Sequence, residues 1–261
     1  MVLVAAMLAA LETAARAQSS KCADCHFANL DAPRRTHLND WDRSAHGRQN
    51  VGCERCHGGN PTSFEKLIAH KGLIGSGDRR SPVHRANLPA TCGSCHAGQM
   101  MAFQKTRHFQ LLKADDRRGP TCSTCHSDEG DHLLAPKAME AQCNSCHGPG
   151  KTAPRPERAK KARAMLEEVH DARLLLKEAR DVIKRVKDPQ RKARLTQDAD
   201  MVALELKFAV EAGHGFIYDG LQERVGRART KLSALFEALT NPGAAKPASG
   251  PVSDRAMQAR R

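Results

Sequence analysis

Residues 22–57 read CADCHFANLDAPRRTHLNDWDRSAHGRQNVGCERCH: two C-x-x-C-H motifs enclosing the element Trp41-x-x-Ser44-x-His46. Residues 92–126 repeat the arrangement, with CGSCH at 92–96, Phe103-x-x-Thr106-x-His108 in the middle and CSTCH at 122–126. A fifth motif, CNSCH, follows at 143–147. In both copies an aromatic residue precedes a histidine by five positions between two motifs, which reads as a loose duplication of a two-motif unit with the fifth motif appended. The ten cysteines fall into the pairs Cys22/Cys25, Cys53/Cys56, Cys92/Cys95, Cys122/Cys125 and Cys143/Cys146, with none left over. The residue after each pair is a histidine: His26, His57, His96, His126 and His147. Five such followers would arise by chance on the order of once in several million sequences of this histidine content.

Two thiols three positions apart can reach the two vinyl groups on one edge of a porphyrin, while the next histidine turns under the ring to ligate iron. The motifs therefore predict five covalently attached haems c. Zinc sites and disulfides also use paired cysteines and are the competing readings; the unvarying histidine favours haem. Eight further histidines remain, and most of them lie where the motifs are, which predicts that most irons carry a second imidazole. His46 and His108 are candidate distal ligands because they occupy the same place in the repeat. His132 follows the fourth motif closely. His37, His70 and His84 lie in loops between motifs, where hydration is the alternative. His214 stands between two glycines at a helix break, where backbone can approach a flat ring. His170 reads as an exposed helical residue.

Composition points the same way. Only 3% of the 261 residues are aromatic, too little to build a conventional core, so cofactors are expected to supply the missing apolar bulk. The formal charge is +13. Each haem brings about two propionates, so five would offset most of that excess, and nucleic acid is not an expected partner. The Arg79-Arg80, Arg117-Arg118 and Lys160-Lys161 pairs read as solvated faces or propionate partners. Residues 1–17 contain a short apolar run ending in Ala15-Arg16-Ala17, the pattern of a secretory signal peptide, which predicts export to the periplasm. No stretch of the sequence is long and apolar enough for a permanent membrane span.

Residues 18–150 show no sustained periodicity and are expected to form a loop-rich cytochrome domain of short helices. Past the turn-rich stretch Pro149–Pro156 the pattern changes to charged helix formers. Residues 151–241 predict about three helices: one from Pro156 to near Asp188-Pro189, a second from Gln190 to Ala212 ending at Gly213-His214-Gly215, and a third closing at Asn241-Pro242. The fold class is thus mainly α with little or no β, and residues 242–261 read as a disordered tail.

The five motifs, the aromatic-x-x-Ser/Thr-x-His elements, the CHGG at Cys56–Gly59 and the long C-terminal helices resemble the multihaem cytochrome superfamily of hydroxylamine oxidoreductase, pentahaem nitrite reductase and the tetrahaem cytochrome of ammonia oxidisers. That resemblance implies distal ligation by His46 and His108, and homodimerisation through the C-terminal helices. Two departures argue against carrying over catalysis: all five motifs end in histidine where the nitrite reductases typically place a lysine at the catalytic haem, and hydroxylamine oxidoreductase carries more haems. The leading expectation is a periplasmic electron carrier between redox partner proteins, a membrane quinol-linked donor or a terminal reductase. The alternatives are a haem oxidoreductase acting on nitrite, hydroxylamine or a related small oxyanion at one open iron, and a subunit that assembles others through its helices.

Overall fold

The computed structural model describes residues 21–29, 35–127 and 135–241. The expected signal peptide, the expected tail and His132 lie outside them. Among the described residues every regular element is a helix: α1 (Lys21–Ala28), α2 (Arg35–Arg43), α3 (Ala45–Arg48), α4 (Glu54–His57), α5 (Lys66–Ala69), α6 (Leu88–Gly93), α7 (Ala97–Phe103), α8 (Arg107–Lys113), α9 (Cys122–His126), α10 (Pro136–His147), α11 (Pro156–Lys184), α12 (Pro189–His214) and α13 (Tyr218–Thr240). The chain is mainly α. It divides into two compact units, residues up to 164 together with 211–217, and residues 165–210 together with those from 218 onward. The division falls inside α11, some way beyond the linker at 149–156, and it assigns the end of α12 to the first unit.

The second unit is built on aliphatic stripes. Leu176, Ala179 and Ile183 of α11, Leu195, Ala199, Val202 and Leu206 of α12, and Ala228, Leu232 and Leu235 of α13 form one buried cluster. These positions recur at steps of three and four, so each helix turns one apolar face inward. Alanines at the tightest points, such as Ala179, Ala199 and Ala228, are fully buried and let backbones approach closely. Burying a Leu, Ile or Val side chain contributes about 1.5–3 kcal/mol, whereas an exposed ion pair such as Arg180–Asp200 contributes about 0–1, so the stripes decide the fold of this unit. Two of the three helix starts carry proline at the first position, where its missing N–H costs nothing. Before Pro189, the Asp188 carboxylate accepts the Arg191 N–H at 2.7 Å and caps α12. α11 ends at Lys184, four residues short of Asp188, because Arg185 and Val186 turn away in tighter bonds to Val182 and Ile183.

The first unit is different in kind. Its buried hydrophobic side chains among the described residues are Ala23, Leu38, Leu112 and Ala159; the rest of the aliphatic core belongs to the second unit. Order comes instead from short helices joined by hydrogen-bonded turns. Buried Ser81 donates to the Ile74 carbonyl at 2.9 Å, Asn87 donates to the carbonyls of Arg79 and Ser81 at 2.8 Å each, and Thr91 donates to that of Pro82 at 2.7 Å. Arg85 donates to the Gly119 carbonyl at 2.9 Å and so ties the loop before α6 to the loop before α9. The arginine pairs are exposed, as a solvated face requires, and three of these arginines also meet carboxylates at the surface: Arg79 meets Asp115, Arg80 meets Asp78 and Arg118 meets Asp116.

Candidate haem sites

Each C-x-x-C-H motif folds as one helical turn. The His57 N–H donates to the Cys53 carbonyl and the His96 N–H to that of Cys92, both at 2.9 Å. α4 and α9 are little more than such turns, and α10 ends in one. A single turn sets the two cysteines, three positions apart, on one face of the helix. None of the ten is in a disulfide.

Across from each motif histidine stands another histidine. His26 faces His70 with ring centroids 6.0 Å apart, His57 faces His37 at 6.1 Å, and His96 faces His46 at 6.1 Å. His126 faces His214 and His147 faces His108, both at 5.9 Å. An imidazole nitrogen sits about 2 Å from a metal and its ring centroid about 1 Å beyond, so two axial ligands on opposite faces of one iron place their centroids roughly 6 Å apart. Tetrahedral zinc would draw the rings to about 5 Å. The observed separations fit a flat iron cofactor between the rings, and in all five pairs the thiols of the motif lie within one turn of one ring.

Hydrogen bonding sorts the remaining nitrogens. An imidazole that ligates through one nitrogen carries its proton on the other and donates with it. His147 fits: its Nδ1 lies 2.7 Å from the Ala153 carbonyl, which can only accept, leaving Nε2 for iron. His84 does not fit: its Nδ1 accepts the Ala86 N–H at 3.3 Å, which puts the proton on Nε2. The five facing pairs also leave out His170. Burial, and behind it the facing imidazole, lowers the pKa of His57 and of His108, a shift toward the neutral form that ligation uses.

The repeated aromatic-x-x-Ser/Thr-x-His element has a structural reason. The Ser44 N–H donates to the Trp41 carbonyl, and the Thr106 N–H to that of Phe103, both at 2.9 Å. Each hydroxyl then caps a new helix: Ser44 Oγ accepts from Gly47 N–H at 2.9 Å and Thr106 Oγ1 from Phe109 N–H at 3.1 Å. Both cap residues are buried, and both present histidine two residues later in the first turn. In each copy that histidine passes over the next motif and faces the one after: His46 reaches the third motif and His108 the fifth. Gly47 admits no side chain, since a Cβ there would stand 2.3 Å from the Trp41 carbonyl oxygen. Replacing Ser44 with alanine is expected to lower stability by about 1–2 kcal/mol, read as a lower thermal midpoint, while Ser44→Thr keeps it, as the second copy shows.

His70 is delivered by the CHGG turn. Gly59 has φ +88°, and a Cβ on it would lie 2.8 Å from the Ala69 carbonyl, the same carbonyl that accepts the Asn60 N–H at 2.9 Å. Glu65 caps α5 through the Ile68 N–H, and His70 closes that helix.

The motif cysteines also approach one another in chain order. Burial, then the nearby Cys22, pushes the Cys53 thiol up to about 11. Burial, then Cys92 and Cys95, raises Cys56. A hydrogen bond to Cys122 raises Cys92 and lowers Cys122. Burial, then Cys143 and Cys146, pushes Cys125 up to about 11. Backbone contacts agree at two of these junctions: Lys21 N–H donates to the Pro61 carbonyl at 3.1 Å beside the first and second motifs, and α6 packs on α9 beside the third and fourth.

Comparison with known proteins matches two families to this architecture. Residues 78–160 match the family of cytochrome c7 and related cytochrome c, and residues 4–58 match that of cytochrome c554 and c-prime. The C-type polyheme cytochrome OmcC of Geobacter sulfurreducens is 29% identical over 116 residues, and OmcB of the same species is 30% identical over 122. Each match covers 42% of this chain and 14% of the relative, so the shared region is a small part of those longer proteins. No solved structure matches. Over these segments the chain is similar to multihaem c-type cytochromes. It binds haem c.

Proposed function

We propose that the chain holds five haems c, each fixed by one C-x-x-C-H motif and each iron ligated by two histidines, and that it carries electrons along them. The observation that supports this most is the presence of five facing histidine pairs, one per motif, at the separation expected of axial ligands. The ligand pairs are His26/His70, His57/His37, His96/His46, His126/His214 and His147/His108. Bound haem supplies iron that cycles between ferric and ferrous states. The residues supply saturation, with an imidazole on both sides of every site, which suits outer-sphere electron transfer and leaves no side open to substrate. They also supply order, since the thiols of successive motifs adjoin and set a relay that runs from the first motif to the fifth.

The chain belongs in this reading outside the cytoplasm, as the leader pattern at residues 1–17 and covalent haem attachment suggest, with a quinol-linked donor or a terminal reductase as redox partner. No described helix is long and apolar enough to cross a membrane. A homodimer through the C-terminal helices has a candidate surface in Met201, Leu204 and Phe208, an exposed apolar stripe on α12. Kinship with the hydroxylamine oxidoreductase superfamily is part of the same proposal, without its catalysis. Low-temperature electron paramagnetic resonance on the oxidised holoprotein tests it: only low-spin ferric haem is expected, unchanged by nitrite or hydroxylamine. A high-spin signal that responds to either would favour the enzymatic alternative.

A further inference from the structure

α12 ends in a turn where the Ile217 N–H donates to the Ala212 carbonyl at 3.1 Å and the Phe216 N–H to that of Gly213 at 3.0 Å. This pattern closes a helix through one left-handed residue, a position glycine usually fills. Here Phe216 occupies it, with φ +55°, although Gly213 and Gly215 stand within three positions. A phenylalanine in that conformation is strained, so its side chain must offset the cost. Its ring packs edge-on against His108, with centroids 4.5 Å apart and planes at 77°. Two residues earlier, His214 faces His126 with planes at 13°, while His108 faces His147 at 49°. One three-residue segment therefore carries a ligand of the fourth site and the wall against a ligand of the fifth.

We infer that Phe216 is a positioning residue: it fixes the rotation of the His108 ring and thereby the angle between the two imidazole planes at the fifth site. The inference rests on the proposed ligand pairs. In low-spin ferric haem the relative orientation of the imidazole planes sets the asymmetry of the ligand field, so a ring held at one angle gives one defined resonance. Among the described residues the rings in contact with His108 are those of its partner His147 and of Phe216.

Electron paramagnetic resonance of the oxidised full-length holoprotein tests this with three variants. His108→Ala, which removes the second axial ligand, identifies the resonance of the fifth site as the low-spin feature that is lost. Phe216→Gly removes the ring and relieves the backbone, so the protein folds at least as well as the parent; the same feature is expected to shift and broaden, with a changed midpoint potential at that haem in spectroelectrochemical titration. Phe216→Tyr, which keeps the ring, is expected to restore both. A Phe216→Gly protein whose low-spin features and potentials match the parent overturns the inference, as does a tyrosine variant that shifts as far as glycine. Failure of the underlying ligand pairing is distinguishable, because then His108→Ala removes no low-spin feature.

Discussion

Replacing Cys122 and Cys125 together with serine is expected to yield a protein with one haem fewer and a relay cut in the middle. The fourth motif adjoins the third through Cys92 and Cys122 and the fifth through Cys125 and its neighbours Cys143 and Cys146, which places it between them in the proposed relay. The local turn does not depend on the thiols: Thr121 and Thr124 cap α9 reciprocally, the Thr121 N–H donating to Thr124 Oγ1 at 2.9 Å. Intramolecular electron equilibration, followed by absorbance after pulsed reduction, should slow by orders of magnitude. The paired change Cys22→Ser and Cys25→Ser removes a terminal site instead and should leave equilibration among the remaining four near the parental rate. Equal effects from the two double variants would contradict the linear order.

Val202→Asp is expected to unfold the helical unit. Val202 is fully buried among Leu176, Leu206 and Leu232, and the cluster contains no basic group to pair with a carboxylate. Burying an unpartnered charge of this kind costs several kcal/mol, against a total stability for a domain of about 5–15 kcal/mol. Far-UV circular dichroism on heating should show the loss of cooperative melting by this unit. Arg180→Ala, which removes only an exposed ion pair with Asp200, should move the midpoint little, by about 1 kcal/mol or less.

The parts of this protein legible in its sequence are those set by local spacing. C-x-x-C-H needs one helical turn, and the three long helices follow from apolar residues at steps of three and four, so both are read without knowing the fold. Boundaries were less legible. α12 runs through Gly213 to His214 because Phe216, not a glycine, forms its left-handed cap, and α11 stops before Asp188 because that residue serves the next helix. The Trp41–His46 and Phe103–His108 elements were visible as a repeat, yet their role as buried caps depends on hydroxyl contacts that spacing alone does not show. Among the eight histidines outside the motifs, spacing could not choose partners, since pairs such as His126/His214 join distant parts of the chain. His84 illustrates the limit: it lies in a loop between motifs like His37 and His70, yet those two face motif histidines while His84 Nδ1 accepts the Ala86 N–H. Phe216 carried no signal beyond lying two residues after a candidate ligand.

The count of haems is the claim on which the remaining conclusions stand. Intact mass spectrometry of the protein, expressed full length in a host with a c-type cytochrome assembly system, measures it directly. The expected species is the polypeptide plus five haems, retained under denaturing conditions because each is bound through two cysteines. A mass with four or fewer, or a colourless protein at the mass of the polypeptide alone, would contradict it.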